Sequence, residues 1–285
     1  MKQGTFGSIL CTARNILKSL CPKRRKRTKI SPLNGKMYIN TKGLILREVP
    51  YKETSKILTV LTADAGRITV SAKGARRKGS KTAAATQLLC FSEMTLSENR
   101  DRYTLTEARP IEMFEGLRFD LEKLALGSYF AQVLEAASDE DMPNPELLSL
   151  GLNALYVLSE DKYPEMLIKP AFEMRLMALS GFAPLLEACS VCGSENPVNP
   201  RLDLTGGSVR CRDCREEGEF SETVPLCAGS LDALRHIISC ESKRVFSFSL
   251  GVDAAKRLYR ASESYLKAQL DRGFPALDYY NSVKV

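Results

Sequence analysis

A chain of 285 residues with one histidine, His236, has little means for acid–base catalysis. No Ser-His-Asp or Cys-His pair can be assembled around it, and its setting in the amphipathic "DALRHIIS" reads as structural or surface. The chain also lacks a Walker phosphate loop, a G-x-G-x-x-G following a strand, and the dense carboxylates of a two-metal nuclease. No apolar run approaches the ~20 residues that a bilayer-crossing helix needs. Nine cysteines is an odd count, which excludes a fully paired disulfide framework. Cys11, Cys21, Cys90, Cys227 and Cys240 have no motif spacing, so a reducing, cytoplasmic compartment is expected. The positive case for an enzyme is weak, and none is expected.

Acid is missing from one end. Residues 1–36 hold ten Lys or Arg and no Asp or Glu. Residues 37–113 carry a net charge of +5 and residues 114–285 a net charge of −8. A basic front suits a phosphate backbone, whose neutralisation releases counterions. Residues 1–36, with "CPKRRKRTKISPLNGK", are expected to be a disordered basic extension, with Met37 as the natural start. The apolar part of "FGSILCTARNILKSLC" is too short and interrupted for a signal peptide.

From Tyr38 the hydrophobic period is two. "YINTKGLILREVPY", "SKILTVLTADAGRITVSAKGARR", "LLCFSEMTLSEN" and "DRYTLTEARPIEMF" predict about five short strands, with a hairpin at Asp64-Ala65-Gly66. Residues 37–113 are therefore expected to form a small antiparallel barrel. From Glu115 the period becomes helical. "LRFDLEKLALGSYFAQVLEAA" predicts one helix with Leu117, Leu121, Leu124, Leu126, Phe130, Val133 and Leu134 on its apolar face. Asn144 and Pro145 predict the next helix start. "YPEMLIKPAFEMRLMALSGF" predicts a third, kinked at Pro170 and capped by Gly181. "SLDALRHIISC" and "GVDAAKRLYRASESYLKAQLDRGF" predict two more. The expected class is α+β: a barrel, then a helical domain over 114–285.

Within the helical domain, Cys189, Cys192, Cys211 and Cys214 give C-x2-C-x18-C-x2-C, the spacing of four-cysteine zinc sites. A closed four-sulfur shell leaves no open position, so such a zinc would stabilise rather than catalyse. An iron–sulfur cluster, a redox pair and a site that has lost its metal are the alternatives. The module is expected at about 186–217. In the barrel, "SAKGARRKGSKT" concentrates Lys73, Arg76, Arg77, Lys78 and Lys81 beside Gly74 and Gly79, and Arg100 and Arg102 sit at the next hairpin. Such loops suit single-stranded nucleic acid. Tyr38, Tyr51, Phe91 and Tyr103 are the candidate aromatic platforms, of which Phe91 reads as core. Backbone-dominated, sequence-tolerant binding fits better than base readout.

These pieces, in this order, resemble the RecO family of bacterial DNA-repair proteins. The resemblance rests on "KGLILREVPYKETSKILTVLTADAGRITVSAKGARRKGSK", "FEMRLMALSGFAPLLEACSVCG", "VRCRDC" and "RGFPALDYY", and spans the chain from about residue 37. It implies an N-terminal OB-fold, a helical domain and an inserted zinc module. It implies a recombination mediator without turnover chemistry, which binds single- and double-stranded DNA, anneals complementary strands and helps load recombinase. RecR and the acidic C-terminal tail of single-strand-binding protein are the implied partners, and a nucleoid-associated place in the cytoplasm follows. The basic-loop role carries to Lys73, Arg76, Arg77 and Lys78, and the zinc ligands to the four cysteines. The helix "IKPAFEMRLMALSGF", through Lys169 and Arg175, is the candidate tail site.

Two other readings stand beside it. One is a different OB-and-zinc nucleic-acid protein serving RNA or transcription, told apart by its partners. The other is a redox or hydrolytic enzyme using the cysteines, told apart by zinc content and thiol protection.

Overall fold

The computed structural model describes residues 29–33, 36–99, 102–214 and 222–284. They fall into two compact units, one running to Ser159 and the other spanning Glu160–Ser282.

The first unit is built on six strands: β1 Lys29–Leu33, β2 Lys36–Tyr51, β3 Ser55–Thr62, β4 Gly66–Ala72, β5 Phe91–Asn99 and β6 Arg102–Glu112. Their alternating burial packs Ile45, Leu58, Val60 and Val70 into one core, and Phe91 is fully buried, as its apolar context predicted. β2 is long because it serves two partners. Its first half pairs with β5, from Met37↔Glu98 to Leu44↔Phe91, and its second half with β3, from Gly43↔Thr62 to Tyr51↔Ser55. At the changeover sits Gly43, where a Cβ would collide with the Val60 side chain and lie 3.0 Å from the Leu61 carbonyl.

The pairings run β2–β3–β4–β6–β5 and return from β5 to β2. An all-antiparallel arrangement was expected. Instead β4 and β6 pair in parallel at Val70↔Tyr103 and Ser71↔Thr104. The reason is parity: strand direction cannot alternate around an odd number of partners, so one neighbour pair must be parallel. β1 also departs from expectation. Its residues fall within the segment read as a structureless extension, yet they pair with β2 at Lys29↔Ile39 and Ile30↔Tyr38. The register shifts across Pro32, which has no N–H to donate and is tolerated at such an edge irregularity. Residues 1–28, 34 and 35 of the extension lie outside the described residues.

The expected hairpin at Asp64-Ala65-Gly66 is present. The Thr62 hydroxyl donates to the Gly66 carbonyl at 2.9 Å and accepts from the Ala65 N–H at 3.1 Å. Gly66 has φ 64°, a conformation that favours glycine.

Three helices complete this unit: α1 Glu115–Arg118, α2 Leu121–Ala137 and α3 Pro145–Ser159. The single helix expected over this first stretch is thus two. Asp120 ends one and caps the next, accepting from the Lys123 N–H at 3.1 Å. The break leaves Phe119 89% and Leu121 57% exposed, so Leu121 is not on the buried face assigned to it. Asn144 caps α3 as expected, accepting from the Leu147 N–H at 3.1 Å. α2 and α3 pack on β2, which is why compactness ends at Ser159 rather than at the change of hydrophobic period.

The second unit contains α4 Glu165–Leu179, a small three-stranded sheet in the order β8-β7-β9 (β7 Arg201–Asp203, β8 Val209–Arg210, β9 Thr223–Pro225), α5 Ala228–Ser239 and α6 Val252–Leu270. α7, Pro275–Val283, begins in it. α4 runs through Pro170 and ends at Gly181, whose φ of 86° lets the Phe182 N–H reach back to the Met177 carbonyl at 2.8 Å. α4, α5 and α6 pack on one another around Phe172, Met174, Leu234 and Leu258. Among the described residues no helix is long and apolar enough to cross a membrane.

Candidate metal centre and cationic loop

Two tight turns present the four cysteines. In the first, the Gly193 N–H donates to the Cys189 carbonyl at 2.9 Å, with Gly193 at φ 73°. In the second, the Cys214 N–H donates to the Cys211 carbonyl at 3.3 Å. Val209 of β8, two residues before Cys211, ties the first turn to the second, accepting from the Ser190 N–H at 2.9 Å and donating to the Leu185 carbonyl at 3.1 Å, and all four sulfurs lie within 4.8 Å of one another. A tetrahedral ion with bonds of about 2.3 Å to sulfur requires sulfurs about 3.8 Å apart. Cys192 and Cys211 are 3.8 Å apart. Backbone N–H groups aim at two sulfurs, from Val198 to Cys211 at 3.3 Å and from Cys211 to Cys189 at 3.4 Å. The quartet can therefore hold a metal ion, and its all-sulfur donor set is compatible with zinc.

The thiols differ in acidity. Burial opposes ionisation of Cys189, but N–H donors from Cys192, Cys211 and Val191 outweigh it and bring the group down to about 6. Hydrogen bonding to Cys192, with burial and contact with Cys189 adding to it, pushes Cys214 up to about 12. Burial raises Cys211 as well. One thiolate, that of Cys189, forms readily, and Cys211 and Cys214 resist a second negative charge. A divalent cation removes that conflict, which couples metal binding to proton release and to folding.

Residues that the cysteine spacing does not reveal fasten this module to the helices. Arg235 on α5 donates to the carbonyls of Leu186 at 2.8 Å, Glu187 at 3.0 Å and Glu195 at 2.8 Å. Gln269 on α6 donates to the Leu204 carbonyl at 2.7 Å, and the Tyr265 hydroxyl to the Phe182 carbonyl at 3.0 Å. His236 is half-buried on α5, and its Nε2 lies 3.1 Å from the Arg244 carbonyl.

On the first unit, the segment after β4 folds into consecutive turns. The Arg77 N–H donates to the Gly74 carbonyl at 3.1 Å and the Ser80 N–H to the Arg77 carbonyl at 3.0 Å, with Gly74 and Gly79 at φ 69° and 75°. This brings Lys73, Arg76, Arg77, Lys78 and Lys81 together, all exposed. None is in an ion pair among the described residues. No carboxylate occurs between Asp64 and Glu93. Arg102 is exposed at the start of β6, whereas Arg100 lies outside the described residues. Tyr51 is 48% exposed; Tyr38 and Tyr103 are half-buried.

Lys169 and Arg175 on α4 are engaged inside the fold. Lys169 is completely buried, 2.7 Å from Glu173 and 2.9 Å from Glu263, and its ammonium lies 4.1 Å from the centre of the Tyr259 ring. Burial alone would lower its pKa, but the carboxylates of Glu173 and Glu263 and the Tyr259 hydroxyl raise it overall. Glu173, also completely buried, accepts from the Ser262 hydroxyl at 2.6 Å. Arg175 donates to the Ile238 carbonyl at 2.6 Å and the Ile237 carbonyl at 3.3 Å near the end of α5. Both side chains are thus committed to contacts within the unit.

Two family models match the chain. Recombination protein O N terminal covers residues 37–114 and Recombination protein O C terminal covers 118–278. Among curated relatives, DNA repair protein RecO of Acetivibrio thermocellus is 31% identical over 246 residues, 86% of this chain and 97% of that protein. Its namesake from Symbiobacterium thermophilum is 30% identical over 249 residues, 86% and 97% of the two chains. That of Desulforudis audaxviator is 36% identical over 176 residues, 62% and 70% of the two chains.

Proposed function

Since the chain belongs to the RecO family of DNA repair proteins, we propose that it is a recombination mediator that binds DNA through its cationic loop, anneals complementary strands and helps load recombinase. The carrying observation is that loop: five exposed cations on glycine-jointed turns, with no ion-pair partner among the described residues. Lys and Arg reach phosphates from such turns without driving a rigid element between bases. A protein that neutralises two backbones and leaves base edges open is what annealing requires.

In this reading the ring of strand pairings is an OB-fold barrel, a common platform for single strands. Single-stranded and double-stranded DNA are both ligands, because phosphate contacts are common to them. RecR is the partner in loading. The acidic tail of single-strand-binding protein is captured on the helical unit. Zinc occupies the four cysteines, where it cross-links the module and performs no reaction. The protein has no turnover chemistry of its own and works at the nucleoid in the cytoplasm.

The test is strand annealing and oligonucleotide binding across a salt series, with Arg76→Ala/Arg77→Ala beside the unaltered chain. Losing two phosphate contacts should flatten the slope of log affinity against log salt by about 0.7 per contact on single strands. An unchanged slope in the folded variant would place the DNA surface elsewhere.

A further inference from the structure

We infer that Tyr51 is a stacking platform for an unpaired DNA base, at the corner where the β2–β3 turn meets the cationic loop; this rests on the DNA-binding reading above. The turn and the loop, about twenty residues apart in sequence, are one hydrogen-bonded piece. The Arg76 N–H donates to the Thr54 carbonyl at 2.9 Å, the Arg76 guanidinium to the Lys52 carbonyl at 3.4 Å, and the Gly74 N–H to the Ser55 hydroxyl at 3.4 Å. Lys52 has φ 52°, a left-handed conformation uncommon for a residue with a side chain. It turns the chain immediately after Tyr51, the last residue of β2, and its carbonyl is the one that meets the Arg76 guanidinium of the loop.

The chemistry of this corner selects its ligand. Tyr51 is 48% exposed, and Val49, on the same face of the strand, is 43% exposed. The Lys52 ammonium lies 5.4 Å from the Tyr51 ring centre. Glu53 is the one carboxylate in the turn, against Lys52 and the five loop cations. A flat aromatic face beside concentrated positive charge matches a ligand that carries a π-surface and an anion on each repeat, which is a nucleotide strand. An acidic peptide would use the charge and leave the ring idle. A duplex would use the charge but keeps its base faces stacked within itself. The corner therefore adds a preference for single strands that phosphate contacts alone do not provide.

The chain has no tryptophan, so Tyr51→Trp introduces a sole indole reporter. Its emission should be quenched on binding oligo(dT) and unchanged on binding an abasic strand of the same length or a duplex. Tyr51→Ala should weaken oligo(dT) binding about 5- to 150-fold. It should leave abasic-strand and duplex binding unaltered, and Tyr51→Phe should bind as the unaltered chain does. Equal loss on abasic and dT strands, or an indole blind to bound oligo(dT), would overturn the proposal. A larger effect on oligo(rU) than on oligo(dT) would overturn it for DNA. Failure of the underlying reading is distinct: there Arg76→Ala/Arg77→Ala would leave binding to every strand unchanged.

Discussion

Replacing Lys169 with methionine keeps the length of the side chain and removes its charge. Glu173 would remain completely buried, with the Ser262 hydroxyl at 2.6 Å but no cation at 2.7 Å. Orphaning one partner of a buried ion pair costs about 3–5 kcal/mol, far more than the net value of an intact pair. The unit spans residues 160–282. For a domain of that size each kcal/mol moves the melting temperature by about 3–5 °C, so a fall of about 10–25 °C is expected. The assay is thermal unfolding followed by circular dichroism on the zinc-saturated chain. The decisive comparison is Lys169→Met/Glu173→Leu, which removes both buried charges. Most of the loss should return, because an apolar pair of similar volume avoids the desolvation penalty. Glu263 is 20% exposed and keeps Lys267 at 2.8 Å, so it does not become a second orphan. A double variant as unstable as the single one would show that lost packing, and not an uncompensated carboxylate, controls the site.

The same network gives a pH dependence. The pKa of Lys169 is raised, so its contribution is full below the ordinary lysine value and is lost as pH rises through the higher folded value. Burial raises Glu263, but the ammoniums of Lys169 and Lys267 together outweigh it and lower the group, so its contribution is full above the ordinary carboxylate value and fades as pH falls through the lower one; unfolding scans at both extremes check the signs. Cys211→Ala should reduce bound zinc and destabilise the cysteine module, while binding of DNA at the cationic loop persists; metal analysis beside an oligonucleotide titration reads both. Arg235→Ala removes three carbonyl contacts to that module and should speed zinc loss to a chelator, followed with a colorimetric indicator. A chain begun at Met37 should bind DNA more weakly at low salt and converge with the full chain as salt rises, because ten cations have been removed.

Local signals in the sequence were legible. Asn144-Pro145, Asp64-Ala65-Gly66 and Gly181 act within a few residues of themselves, and each does in the structure what its chemistry predicts. The cysteine quartet was readable for the same reason, since each C-x-x-C is a self-contained turn. What the sequence hid depends on distant partners. β1 forms because the start of β2 has a free edge for it. The parallel β4–β6 pair follows from a ring of pairings among an odd number of strands. Asp120 reads as one more polar residue in a helical period until its side chain caps a new helix. Lys169 looks like a surface cation because its counterions are Glu173, one turn along α4, and Glu263, far along the chain on α6. Arg235 and Gln269 carry no motif, and their acceptors are backbone carbonyls that no side-chain pattern announces.

The double use of β2 has a consequence for synthesis. Its first half bonds to β5 as far out as Met37↔Glu98. The ribosome adds about 5–20 residues per second, so the edge of β2 that belongs to β5 waits roughly 3–12 s for its partner to be made. During that interval it is a strand edge open to pairing with any neighbouring nascent chain. In sequence Lys36 and Lys42 fall within this stretch of β2, and Lys29 of β1 is in register with Ile39. On two chains emerging from one polysome, a pairing of edge with edge would bring together two segments of like net charge. The cations near the front of the chain thus discourage nascent copies from adhering before each can close on itself.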